Sequence, residues 1–169
     1  MNAHDPRSEP TGSGFTPTQR EQLDARSADQ DRTLEAIHKL EAALGAAAPG
    51  RETSWLREVL AALAHLDEAT REQQRNADEV DSLLSDIART QPRLRHRVHG
   101  LRAQYAQACA TVEALRRELC ASSEVRNMDY PEIRDRLGWL LTALRHQRTR
   151  ESDLIYEAYY DAFETDLST

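Results

Sequence analysis

The sequence predicts an all-α protein: an up-down-up-down antiparallel four-helix bundle with a disordered N-terminal tail. Apolar residues recur every three or four positions along most of the chain, and no segment shows the sustained alternation of a strand. Beyond residue 17 the helix breakers cluster at three places, which leaves four segments. Short connections between long helices favour antiparallel neighbours. We assign residues 1–17 to the tail, 18–164 to the bundle and 165–169 to a C-terminal tail.

The tail and the first two helices are separated by prolines and glycines. Residues 1–17 are rich in both residue types and almost free of apolar side chains, which is typical of disorder. The first helix, before Pro49, has a short apolar face at residues 34–44. The second has a longer stripe whose middle turns polar, formed by Leu56, Val59, Leu63, Leu66, Thr70, Gln73, Ala77, Val80, Leu84 and Ile87.

The third and fourth helices are expected after Pro92 and Asp129. Asp129 and Glu132 have the spacing of a capping box, and a proline between them is tolerated in the first helical turn. The third stripe consists of Leu94, Val98, Leu101, Tyr105, Ala108, Val112, Leu115 and Leu119. The fourth, again polar in its middle, consists of Ile133, Leu137, Leu140, Leu144, Gln147, Glu151, Leu154 and Ala158.

The composition excludes several classes of protein. The 169 residues carry a formal charge of −7, which disfavours nucleic acid and anionic lipid surfaces as partners. No apolar run approaches the length of a membrane span, and the N-terminus lacks the apolar region of a signal peptide, so we expect a soluble, cytoplasmic protein. Cys109 and Cys120 would lie about 16 Å apart on one helix, too far for a disulfide.

Polar residues on the inward stripes fall at a common depth. Counted from the breaks, Gln74, Tyr105 and His146 lie within roughly one turn of each other, and Asp78, Cys109 and Glu151 follow four or five residues later. A buried polar group without a partner costs about 1–3 kcal/mol, so these residues need partners. The sequence therefore predicts a polar layer in the middle of the bundle.

This layer and parts of the local sequence resemble the hemerythrin-like (HHE cation-binding) family. The stretch from His146 to Tyr159 is similar to the final helix of bacterial members, and residues 81–105 are similar more weakly. The resemblance implies a four-helix bundle with a non-haem di-iron site, whose ligands are one histidine followed by HxxxE, HxxxH and HxxxxD or HxxxxE on successive helices.

The chain departs from that ligand pattern at most positions. Gln74 and Asp78 stand in place of HxxxE, Tyr105 and Cys109 stand in place of HxxxH, and only His146 and Glu151 agree in type. The counting places His38 outside the layer, closer in depth to His65. The resemblance thus implies an altered iron site built from Asp78, His146 and Glu151, with Tyr105 and Cys109 as further candidate ligands, and not a reversible O2 carrier of the usual kind.

Each of these features also has a plainer interpretation. The polar layer also fits a buried hydrogen-bond network, with His146 and Glu151 paired or held by an arginine such as Arg148. His96 and His99, among several arginines, fit either an anion site or a solvated face. The aromatic residues fit end-of-core packing, a homodimer contact or a contact with another protein; they are Trp55, Trp139, Tyr156, Tyr159, Tyr160 and Phe163.

Two functional hypotheses remain, and both are non-enzymatic because no motif places a general acid and base. The first is a hemerythrin-like bundle that binds iron at an altered site. The alternative is a metal-free helical scaffold that binds a protein partner or a small ligand.

Overall fold

The chain folds into four long helices and one short one, as seen in a computed structural model that describes residues 15–46, 48–121 and 128–166, with side chains up to residue 160. The helices are α1 (Pro17–Gly45), α2 (Glu52–Asp78), α3 (Leu83–Thr90), α4 (Arg95–Ala121) and α5 (Tyr130–Asp166), and a 3-10 turn at Pro92–Leu94 leads into α4. No strand occurs in these residues. The all-α prediction is confirmed, whereas most of the two predicted tails lies outside the described residues.

Helix starts follow local capping chemistry. Thr16 accepts a hydrogen bond from the Gln19 amide, and the Gln19 side chain accepts one from the Thr16 amide, so a capping box begins α1 one residue before the end of the predicted tail. At the start of α5, Asp129 accepts a hydrogen bond from the Glu132 amide at 3.1 Å, as the sequence predicts.

The second predicted helix is broken, contrary to the continuous stripe expected from Leu56 to Ile87. The backbone of Glu79 is extended, and Val80 is 85% exposed instead of buried. Ser82 restarts the helix because its hydroxyl accepts a hydrogen bond from the Ser85 amide and donates one to the carbonyl of Ala77. A serine cap therefore interrupts α2 where no proline or glycine marks a break.

The long helices contact one another in a ring: α1 with α2, α2 with α4, α4 with α5, and α5 with α1. Gln22 near the start of α1 donates to the carbonyl of Asp81, just beyond the end of α2. Arg134 near the start of α5 donates to the carbonyl of Ala46, just beyond the end of α1. None of the described helices is long and apolar enough to cross a membrane.

The apolar core is divided into two clusters. The larger joins the second half of α1 and the first half of α2 to the second half of α4 and the first half of α5, and it includes the buried Trp55. The smaller joins α3 to the beginning of α4 and the later part of α5, including Leu154 and Ala158. Between them lie buried polar residues from all four long helices: Arg26, Asp29, Thr70, Gln73, Tyr105, Gln147 and Glu151. A buried polar layer is therefore present, but its members differ from the expected ones: Tyr105, Cys109 and Glu151 are buried, whereas Gln74 is half-buried and Asp78 and His146 are exposed.

Candidate functional site

The centre of the polar layer is Arg26 of α1. Its side chain is buried, and its Nε atom donates a hydrogen bond to Oε1 of Glu151 on α5, a carboxylate that is 0% exposed. Its Nη2 atom donates to the hydroxyl oxygen of Tyr105 on α4 at 2.5 Å, and the guanidinium lies 5.1 Å from the centre of that ring. One guanidinium therefore links three of the long helices.

Asp29 extends this network to α2. Its carboxylate lies 3.4 Å from Nη1 of Arg26, accepts a hydrogen bond from Arg32, and accepts from the amide of Asn76 at 2.9 and 3.0 Å. The second carboxylate oxygen of Glu151, Oε2, is buried and has no hydrogen-bond partner among the described residues. All four long helices thus contribute to one ionic network, which we call the Arg26 network: Arg26, Asp29, Asn76, Tyr105 and Glu151.

Burial changes the acidity of two groups in or beside the layer. Desolvation raises the pKa of Tyr105 to about 12, although the positive charge and the hydrogen bond of Arg26 act in the opposite direction. Desolvation also raises the pKa of the Cys109 thiol. Cys109 lies one helical turn after Tyr105 on α4, and its side chain contacts Thr70 on the neighbouring helix α2. Both groups are therefore neutral at pH 7 in the metal-free protein.

The five candidate metal ligands do not come together. Tyr105 and Glu151 meet, but through Arg26 and not through each other. His146 is exposed on the outer side of α5, because its neighbour Gln147 takes the inward position. Asp78 lies at the exposed end of α2, where its carboxylate is 3.6 Å from Nε of Arg102. The expectation that His146 and Asp78 share a mid-bundle layer with Glu151 is wrong in this geometry.

These positions do not fit a di-iron centre. In the part of the chain that the structure describes, no three His, Cys, Asp or Glu side chains are grouped so that they could hold a metal ion. The two donors that do lie in the layer are occupied by a cationic guanidinium. The other histidines considered in the sequence, His38, His65, His96 and His99, are all exposed on helix surfaces. Iron binding stays a prediction, tested below.

The sequence reasoning missed Arg26 and named Arg148 as the candidate arginine. A signal was present, because the inward stripe of α1 continues toward its N-terminus beyond Ile37. The buried positions of this helix recur every three or four residues: Arg26, Asp29, Thr33, Ala36, Ile37, Leu40 and Ala43. An arginine and an aspartate at inward positions are strong indicators of a buried ion-pair network.

The surface carries a second feature, an open groove between α4 and α5. It consists of two adjoining hollows of about 240 and 440 Å³ that share Gln104 and Arg150. Trp139 borders the larger hollow and is 76% exposed, whereas Trp55, packed edge-on against Tyr130, is 0% exposed. We call this feature the α4–α5 groove; on α4 it is lined by residues between His96 and Thr111, and on α5 by residues between Arg136 and Leu154.

The other aromatic residues singled out in the sequence lie at the far end of α5. Tyr159 contacts Phe15 edge-on with ring centres 5.2 Å apart, and its hydroxyl donates to Oδ2 of Asp86 at 3.2 Å. Tyr156 and Tyr160 are exposed and stack on each other at 4.5 Å. Phe163 lies beyond the described side chains. Packing at the end of the core accounts for Tyr159.

Comparison of the chain with protein-family models, with curated proteins and with solved structures finds no match. The hemerythrin-like resemblance therefore remains a prediction based on residues 146–159 of helix α5 and, more weakly, on residues 81–105.

Proposed function

We propose that the chain is an up-down-up-down antiparallel bundle that acts as a non-enzymatic scaffold and binds a protein partner at the α4–α5 groove. The observation that carries this proposal is Trp139, a large apolar side chain that is 76% exposed beside an open groove. Tryptophan is seldom left in water, and it is the residue type most enriched among those that dominate the binding energy of protein interfaces.

The Arg26 network supports a structural interior for this scaffold. A guanidinium placed between Tyr105 and Glu151 supplies the positive charge that the buried carboxylate requires, which is the task that iron would have in the alternative. A buried ionic contact between three helices also favours one register of those helices over shifted ones. The interior thus holds the helices in place, and binding is assigned to the surface.

Site-specific crosslinking tests the proposal. A photoreactive benzoylphenylalanine replaces Trp139, and in a control variant it replaces the exposed His38 on α1, which does not line the groove. We expect irradiation of intact cells to give a discrete protein adduct with the label at 139 and not with the label at 38. Equal adducts from both positions, or none from position 139, would contradict the proposal.

Metal analysis separates this proposal from the iron hypothesis. Untagged protein from iron-supplemented cells is analysed by elemental mass spectrometry, and its melting temperature is measured with and without chelator. We expect substoichiometric metal, no effect of chelator, and an unchanged melting temperature in His146→Ala, because that side chain is exposed. Near-stoichiometric iron that is lost in both His146→Ala and Glu151→Gln would support the altered hemerythrin-like site instead.

A further inference from the structure

The side chains that line the α4–α5 groove differ in charge from the whole chain, which is acidic. Among the groove's lining residues, the ionisable side chains are all basic: His96, Arg97, Arg136, His146 and Arg150. Arg97 and Arg136 are balanced at the edge by Glu157 and Glu118 respectively. Arg150, at the junction of the two hollows, has no ion-pair partner among the described residues.

The shape of the groove suits a helix. Its α4 wall runs from His96 to Thr111, about 22 Å at the rise of an α-helix. Small residues recur in the walls, namely Gly100 and Ala108 on α4 and Ala143 on α5, and they leave space for a neighbouring backbone. Two helices packed side by side with a groove of this length between them can receive a third helix of about 15 residues.

Gly100 is unexplained by the fold of this chain. It lies in the interior of α4, where glycine is unfavourable relative to alanine, and a β-carbon at this position would meet no atom within 4 Å. Its neighbours therefore do not require a glycine there. A partner backbone approaching the groove would require one, because a side chain at residue 100 would project toward it.

Resting on the proposed function, we infer that the partner at the α4–α5 groove is an acidic amphipathic α-helix of another protein. Its apolar stripe would contact Trp139 and the small residues, and its carboxylates would face Arg150 and the basic rim. Two copies of this chain joined groove to groove would place Arg150 of one copy against basic lining residues of the other, so self-association through this face is disfavoured.

A selection from a displayed library of amphipathic helices tests this inference. The library varies the charges of a helix of about 16 residues, the full-length chain is the target, and the selected peptides are then synthesised for titration followed by Trp139 fluorescence. We expect peptides with net negative charge and apolar residues at i, i+3, i+4 and i+7. Their affinity should fall as salt is raised, because the basic rim is solvent-exposed.

Matched variants locate the binding. Gly100→Leu fills the groove, whereas Gly138→Leu is its control, since Gly138 is also a helical glycine with open space but does not line the groove. We expect the first to weaken binding at least about tenfold and the second to leave it within about twofold. Arg150→Glu changes the charge of the groove without filling it, and it should weaken the binding of acidic peptides about tenfold. Circular dichroism checks that the variants are folded.

The outcomes are distinguishable. Acidic peptides that lose affinity in Gly100→Leu and Arg150→Glu but not in Gly138→Leu would support the inference. Neutral or basic peptides with the same dependence on the groove would overturn it and leave the proposed function standing. If the affinity of the selected peptides is the same for all groove variants, or if no peptide is enriched, both the inference and the proposed function would be overturned.

Discussion

Replacing Arg26 with methionine removes the charge at the centre of the layer while keeping a side chain of similar length. Glu151 then remains 0% exposed without the one group that donates to it among the described residues, and Tyr105 loses its donor at 2.5 Å. Asp29 keeps Asn76 and Arg32 as partners. Breaking a buried ion pair by removing one partner costs about 3–5 kcal/mol, so we expect Arg26→Met to lower the free energy of unfolding by that amount.

Urea unfolding followed by circular dichroism at 222 nm measures this change. A matched control is Arg145→Met, since Arg145 pairs with Glu41 between the same two helices, α5 and α1, but at the surface. Exposed pairs contribute about 0–1 kcal/mol, so the control should be nearly neutral. The double variant Arg26→Met/Glu151→Leu, which leaves no unpaired charge of that pair, should recover most of the loss. An Arg26→Met variant no less stable than Arg145→Met would refute the structural role of the network.

Three further predictions follow from burial and backbone. Ionisation of Tyr105 disfavours the folded state because its pKa rises to about 12, so the free energy of unfolding should fall by about 2–3 kcal/mol between roughly pH 10 and pH 12. In urea titrations this decline should be smaller by that amount in Tyr105→Phe, in which the half-buried Tyr159, whose pKa is also raised by burial, still contributes; equal declines in the two proteins would exclude the effect. Gly100→Ala and Gly138→Ala should each raise the free energy of unfolding by about 0.5–1 kcal/mol, whereas a loss would reveal a crowded site. Acrylamide should quench Trp139 and spare Trp55, so Trp139→Phe should abolish quenching; persistent quenching would contradict the burial of Trp55.

Much of the fold could be predicted because helical periodicity is a local property. The inward stripe predicted for the third helix is confirmed at seven of its eight positions, of which the first, Leu94, lies in the 3-10 turn before α4. Ala108 is partly exposed, while Cys109 beside it is buried. The sequence does not predict the break after Asp78, because a serine that caps a helix is a weaker signal of a helix end than proline or glycine. The predicted stripe continues through residues 79–82, which are not helical, and it therefore places the exposed Val80 on the inward face.

The site was harder to predict because it depends on partners distant in the sequence. Counting along helices correctly placed Tyr105 and Glu151 in one layer, but it could not show that residue 26 joins them. The prediction for His146 also fails by one residue along the helix: His146 is exposed and lines the groove, while the side chain of Gln147 is buried. Depth along an axis is fixed by residue number, whereas direction requires the rotation of each helix.

The division of the core has a consequence for how the molecule opens. Apolar contacts that cross the polar layer are few, so the two clusters need not lose their structure in the same step. The smaller cluster depends on α3, a helix of only 8 residues, and on the segment after the break at Glu79. Hydrogen exchange should therefore be faster for amides of α3 than for those of α2 around Trp55. The bundle would then have a firm end, where α1 meets the start of α5, and a labile end that opens first.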